Sequence, residues 1–112
     1  MPSQGDIVLV PIPFTDLSSA LRRPVIVVSN DAYNSSTADM VVVAMTSNLT
    51  PTPYSFVLTS ADLVAGTLNH PGRVRADRIY TLAQTIALKV FGKVNDATLA
   101  RIRQLLADLC RP

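Results

Sequence analysis

Met40-Val41-Val42-Val43-Ala44-Met45 is an unbroken apolar run with Asp39 before it and Thr46-Ser47-Asn48 after it. It is strand length, rich in β-branched side chains, and too short for a buried helix. With no polar residue at alternate positions, such a strand needs cover on both faces. Three similar runs are Ile7-Val8-Leu9-Val10, Val25-Ile26-Val27-Val28 and Tyr54-Ser55-Phe56-Val57-Leu58, each bounded by Pro, Asn, Asp, Ser or Gly. They predict strands of a curled sheet, at least three buried on both faces, with Tyr54 buried in its strand pattern. A fifth strand is expected across Arg73–Ile79 and a sixth across Tyr80–Gln84, with a bend between them. Many short strands with turn punctuation argue for a mainly β fold, a small barrel rather than alternating βαβ units.

The C-terminal segment follows a different period. From Asn95 or Asp96, either able to cap, Leu99, Ile102, Leu105, Leu106 and Leu109 recur at helical spacing. Arg101, Arg103, Gln104 and Asp108 take the other face, which predicts an amphipathic helix packed on the barrel. The connection from Pro11 to Arg23 is long and holds two prolines and three Ser or Thr residues, and long loops in small domains tend to be functional. At 112 residues with no linker or repeat, residues 1–112 are expected to form a single domain.

Composition narrows the class. Hydrophobic residues make up 48% and charged residues 16%, so some apolar surface is expected to be buried against a partner, most simply a homodimer. All eight acids are Asp, and eight of the ten cationic residues are Arg, whose planar fork of donors suits phosphate. The net charge of +2 is too small to establish nucleic-acid binding by itself. Placement of the arginines must carry that inference. Cys110 is the only cysteine, so neither an internal disulfide nor a metal cluster is expected. The chain shows no signal-peptide pattern and no apolar run of membrane-spanning length, so a cytoplasmic protein without a membrane role is expected.

Two arginine-bearing segments are candidates for chemistry. In Arg22-Arg23-Pro24, the proline pushes Arg23 into an extended backbone at the start of a strand. In Arg73-Val74-Arg75-Ala76-Asp77-Arg78, a strand would set Arg73, Arg75 and Asp77 on one face about 6–7 Å apart. Taken alone, Arg75 and Asp77 also fit an exposed ion pair on an edge strand. Thr46 and Ser47 also fit turn hydrogen bonding. His70, the only histidine, lies in a turn-like stretch and is read as structural or incidental.

The order and framing of these segments resemble the MazF/PemK family of toxin–antitoxin ribonucleases. Gly5-Asp6-Ile7-Val8-Leu9-Val10-Pro11-Ile12-Pro13-Phe14-Thr15-Asp16 is similar to that family's opening strand and turn. Arg22-Arg23-Pro24 followed by valines, Thr46-Ser47 ending a strand, Val74-Arg75-Ala76-Asp77, and Gly92-Lys93-Val94 before the last helix match its later motifs. The resemblance runs from Gly5 to about Leu109. It implies an SH3-like β-barrel with a C-terminal amphipathic helix, shared with gyrase-inhibiting toxins of the CcdB type. Catalytic positions would fall on Arg23, Thr46, Arg75 and Asp77, and RNA contacts on Arg22, Ser47, Arg73, Arg78 and Tyr80. The activity implied is cutting of single-stranded RNA without metal or other cofactor, blocked by a cognate antitoxin. The 2′-hydroxyl would attack its own phosphate, leaving a 2′,3′-cyclic phosphate and a 5′-hydroxyl. Arg78 and Tyr80 depart from the Gln and Arg usual at those places, and Gln4 stands where an Arg is common. The alternatives are a gyrase inhibitor of the same fold and an inactive relative that binds RNA or antitoxin.

That chemistry needs a proton acceptor, charge stabilisation on phosphate and a donor to the leaving oxygen. A pair of histidines is excluded within one chain that has only His70. Asp77 is the candidate base, although two neighbouring arginines would depress its pKa. Arg23 and Arg75 would clamp the phosphate.

Overall fold

Alternate residues of three neighbouring strands feed two separate cores. Ile7, Ile26, Val43 and Met45 point to one side of the sheet, where they pack with Phe56, Leu58, Val74, Val94 and Ile102. Val8, Val10, Val25, Val27, Met40 and Val42 point to the other and form a smaller second core. The continuous apolar runs are thereby explained: both faces of these strands are covered, as the sequence predicts.

The computed structural model describes residues 2–11 and 22–112. Its elements, in chain order, are β1 (Asp6–Val10), β2 (Arg23–Val27), α1 (Asp31–Ser36), β3 (Asp39–Thr46), β4 (Ser55–Leu58), β5 (Leu63–Ala65), β6 (Gly72–Ala83), β7 (Lys89–Val94) and α2 (Asp96–Leu109). The strands form one antiparallel sheet in the order β4-β6-β3-β2-β1-β7-β5. β4 and β5 remain as its two edges, so the expected barrel is a curled, open half-barrel. Most of the long connection after Pro11, with the Phe14-Thr15-Asp16 turn, lies outside the described residues.

α2 covers the larger core. Asn95 is the N-cap, its side chain accepting from the Thr98 amide at 2.8 Å, while Asp96 supplies a carboxylate in the first turn. Ile102 is fully buried, and Leu99, Leu105 and Leu106 pack against the same cluster, which is the leucine stripe read from the sequence. On the outer side the Arg101 guanidinium lies over the Phe56 ring, 4.2 Å from its centre.

Four features differ from the sequence expectation. The two strands expected across residues 73–84 are one strand, β6, interrupted by a bulge. Val43 pairs with Ile79 while Ala44 pairs with Arg75, so Ala76, Asp77 and Arg78 have no partners on β3. Tyr54 is not buried. It sits in the left-handed region (φ 56°) just before β4, 39% exposed, and its carbonyl accepts the Ala76 amide at 3.0 Å. The positive φ breaks the alternation that would have turned Tyr54 inward with Phe56 and Leu58. β5 and β7 were not anticipated, and neither was α1, a single short helix. The Gln84 side-chain amide fastens α1 by donating to the carbonyls of Asn34, Thr37 and Asp39.

Gly66 follows β5 with φ +81°, where a side chain is strained. A Cβ there would meet the Phe91 carbonyl oxygen and approach the Gly92 Cα to 2.8 Å, both backbone atoms of β7. Gly66→Ala is expected to destabilise the fold by about 2–3 kcal/mol. The shift of the urea midpoint measures it, and an unchanged midpoint would contradict the close packing of β5 on β7.

Candidate active site

The second core ends in polar residues at one end of the sheet. Pro24 holds Arg23 extended as the first residue of β2. Val25 faces Ala44 across the β2–β3 ladder, and continuing that antiparallel register by two residues brings Arg23 beside Thr46, the last residue of β3. On the other side of β3, Ala44 faces Arg75. Strand parity therefore puts Arg23, Thr46 and Arg75 on the same face as Val25, Val42 and Ala44.

The bulge brings in a fourth group. Three inserted residues, an odd number, reset the alternation of β6 so that Tyr80 faces Val42. Tyr80 thus shares the face of Arg75 and packs its ring against the second core. A cleft of about 160 Å³ results, lined by Arg23, Thr46, Arg75, Arg78 and Tyr80, with Ala44 and Met45 of β3 completing it. Thr46 Oγ1 accepts from the Asn48 amide at 3.2 Å, which leaves its hydroxyl hydrogen for donation to a ligand.

Asp77 is bonded to Arg75 but is not among the residues that line the cleft. Its carboxylate receives two parallel bonds from Arg75, Nε to Oδ1 and Nη2 to Oδ2, each 2.8 Å. The two side chains are 20% and 30% exposed, so the pair is partly shielded from water. Hydrogen bonding from Arg75 is the main reason that the Asp77 carboxyl is held below the usual carboxylate range. Burial opposes that shift, and the Arg75 and Arg78 charges reinforce it. The same bond is the main reason that the Arg75 guanidinium is raised, again against an opposing effect of burial.

The remaining sequence candidates are elsewhere. Arg73 shares a face with Arg75, but its side chain is turned into the fold, 7% exposed. Its Nη1 donates to Ser55 Oγ at 2.9 Å, and Nε and Nη2 donate to the Leu49 carbonyl at 3.3 and 3.1 Å. Arg73 therefore secures the loop before β4 rather than presenting its charge to solvent. Arg22 and Ser47 are exposed beside Arg23 and Thr46 in the chain but do not line the cleft. His70 is also absent from it. Ala44 was missed as a site residue because nothing in its apolar run distinguishes it. The structural signal is that its small side chain leaves room between Val25 and Arg75.

Fold and cleft together define a curled half-barrel whose cleft gathers three arginines and a threonine hydroxyl from β2, β3 and β6. The sequence is more specific: residues 3–110 match the PemK-like, MazF-like toxins of type II toxin-antitoxin systems, and the chain belongs to that family. No curated protein sequence matches it. Among solved structures, an endoribonuclease in complex with its cognate antitoxin from a mycobacterial species is 29% identical and has a TM-score of 0.75, covering 100% of this chain and 98% of that one. A second mycobacterial endoribonuclease is 31% identical with a TM-score of 0.74, covering 96% and 88%. A MazE–MazF structure from Deinococcus radiodurans is 26% identical with a TM-score of 0.73, covering 96% and 93%.

Proposed function

We propose that this toxin is an endoribonuclease that cuts single-stranded RNA at the cleft between β2, β3 and β6. The observation that carries the proposal is the convergence of Arg23, Thr46 and Arg75 around one pocket. In the reaction, the ribose 2′-oxygen attacks the adjacent phosphorus and the bond to the 5′-oxygen breaks. The 2′-hydroxyl proton passes to solvent water and water protonates the leaving 5′-oxygen, so the products carry a 2′,3′-cyclic phosphate and a 5′-hydroxyl. Negative charge builds on the non-bridging oxygens as the fifth bond forms at phosphorus. Guanidinium groups from opposite sides and the Thr46 hydroxyl are suited to stabilising it. Arginine is a stabiliser of charge here rather than an acid, because a guanidinium holds its proton too tightly to give it up near neutral pH.

Arg78 and Tyr80 line the cleft beside these groups and are assigned to RNA contact, the Tyr80 ring for stacking a base and Arg78 for a phosphate or base edge. Exposed Arg22 and Ser47 extend the RNA-facing surface. The partners are a cognate antitoxin, as in the mycobacterial complex, and a second copy of the chain. Val64, Leu88 and Val90, which are 64%, 50% and 49% exposed, supply apolar surface for such pairing. Among the described residues no helix is long and apolar enough to cross a membrane. A cytoplasmic site of action suits an RNA substrate.

Incubation of the purified protein with single-stranded RNA in EDTA tests the reading. Fragments with cyclic-phosphate and 5′-hydroxyl ends are expected. Fragments with 5′-phosphates, or cleavage only after a divalent ion is added, would refute the mechanism. Intact RNA together with blocked supercoiling by gyrase would reassign the protein to the gyrase inhibitors.

A further inference from the structure

We propose that Asp77 is a positioning residue, whose carboxylate holds the Arg75 guanidinium at the cleft wall rather than taking a proton from the substrate. The proposal rests on the nuclease reading above and assigns one residue within it. Three observations support it. Both Asp77 oxygens are already bonded to Arg75 in a fork-to-fork arrangement, at 2.8 Å each. Arg75 lines the cleft and Asp77 does not. Asp77 also occupies the centre of the bulge, where Ala76, Asp77 and Arg78 are freed from pairing with β3. On a regular strand, residues two apart stand about 6–7 Å from each other. The bulge lets the carboxylate turn onto its neighbour.

A guanidinium has five N–H donors in a rigid plane. With Nε and one Nη2 hydrogen directed at Asp77, the plane of Arg75 is fixed and its other donors are available to a phosphate. An unheld arginine would lose the rotamer freedom of a long side chain when the substrate arrives. A carboxylate already tied to Arg75 is, by contrast, a poor proton acceptor. The hydrogen bond that lowers its pKa stabilises the ionised form, so the clamp is intact at neutral pH. It opens only as the pH falls through that depressed value. Arg75 and Arg78 are the charged groups that act on Asp77.

The test is single-turnover cleavage of a short RNA in EDTA by wild type, Asp77→Ala and Asp77→Asn, from about pH 5 to pH 8. Asp77→Ala is expected to lower the rate by about 10–100-fold, the usual loss when a supporting group is removed. Asp77→Asn keeps an oxygen to accept from Arg75 but has no basicity. It is expected to recover about tenfold over the alanine variant, with the wild-type shape of the pH profile. The Arg75 Nε–H resonance in the RNA-free protein gives a readout independent of activity: protected in wild type and Asp77→Asn, and lost in Asp77→Ala. Equal inactivity of Asp77→Asn and Asp77→Ala, with the Arg75 Nε–H still protected in Asp77→Asn, would make Asp77 the base and overturn the proposal. An unprotected Nε–H in wild type would overturn it as well. Wild type that retains the protected resonance but cuts no RNA would uphold the clamp and remove the nuclease reading instead.

Discussion

Arg23→Ala is expected to slow RNA cleavage by about 10²–10³-fold, the loss typical of removing one aligned donor from developing negative charge. The fall should lie mainly in kcat, because the guanidinium interacts most strongly with charge that appears on the phosphate during the reaction. Arg23→Lys should recover only part of the rate, since an ammonium keeps the charge but loses the planar fork. Stability should change by no more than about 1 kcal/mol, since Arg23 begins its strand half-buried at the open end of the sheet. Rates follow from single-turnover assays and stability from urea unfolding of the same samples. Because Arg23 and Arg75 reach the same cleft from different strands, the double alanine variant should lose less than the product of the single losses. Full multiplicative losses would mean that the two side chains act at separate places, and a rate unchanged by Arg23→Ala would separate the cleft from the chemistry.

The legible part of this molecule is the part governed by local period. Apolar runs at residues 7–10, 25–28 and 40–45 carry their own evidence for strands covered on both faces, and leucine spacing after Asn95 does the same for α2. Where structure depends on partners distant in sequence, the signal fades. β7 reads Lys89-Val90-Phe91-Gly92-Lys93-Val94, and a glycine inside with a lysine near each end hides the strand until β1 and β5 are seen on either side of it. The bulge at 76–78 contains neither Gly nor Pro, the residues that normally advertise an interruption. Strand alternation alone grouped Arg73 with Arg75 and Asp77. The register bears out the parity for Arg73 and Arg75, but the Leu49 carbonyl before β4 and the Ser55 hydroxyl at its first residue claim Arg73, beyond the reach of any local pattern. For the site as a whole, motif order singled out Arg23, Thr46, Arg75 and Asp77. Only the sheet register places the first three around one pocket, and only the bulge leaves the fourth outside its lining, bonded to Arg75.

Ala44→Leu is expected to abolish most cleavage, by about 100-fold or more, without unfolding the protein. Ala44 lies between Val25 and Arg75 in adjacent ladders and contributes to the cleft lining while being 6% exposed. Extending its side chain by three carbon atoms therefore has two consequences. Where the added atoms meet the second core they overpack it, at a cost of about 1–3 kcal/mol. Where they enter a cleft of only about 160 Å³, they take the space that a phosphate must occupy. A displacement of roughly 1 Å from the reactive geometry already costs about 10²-fold. Ala44→Gly is the complementary variant: it keeps the cleft open and weakens the strand by about 0.5–1 kcal/mol, so its cleavage should stay near that of wild type. Thermal unfolding of both variants separates occlusion from loss of fold. If Ala44→Leu remains folded and still cuts RNA at the wild-type rate, the reaction takes place elsewhere, because two arginines cannot grip a linkage across a cleft that is filled.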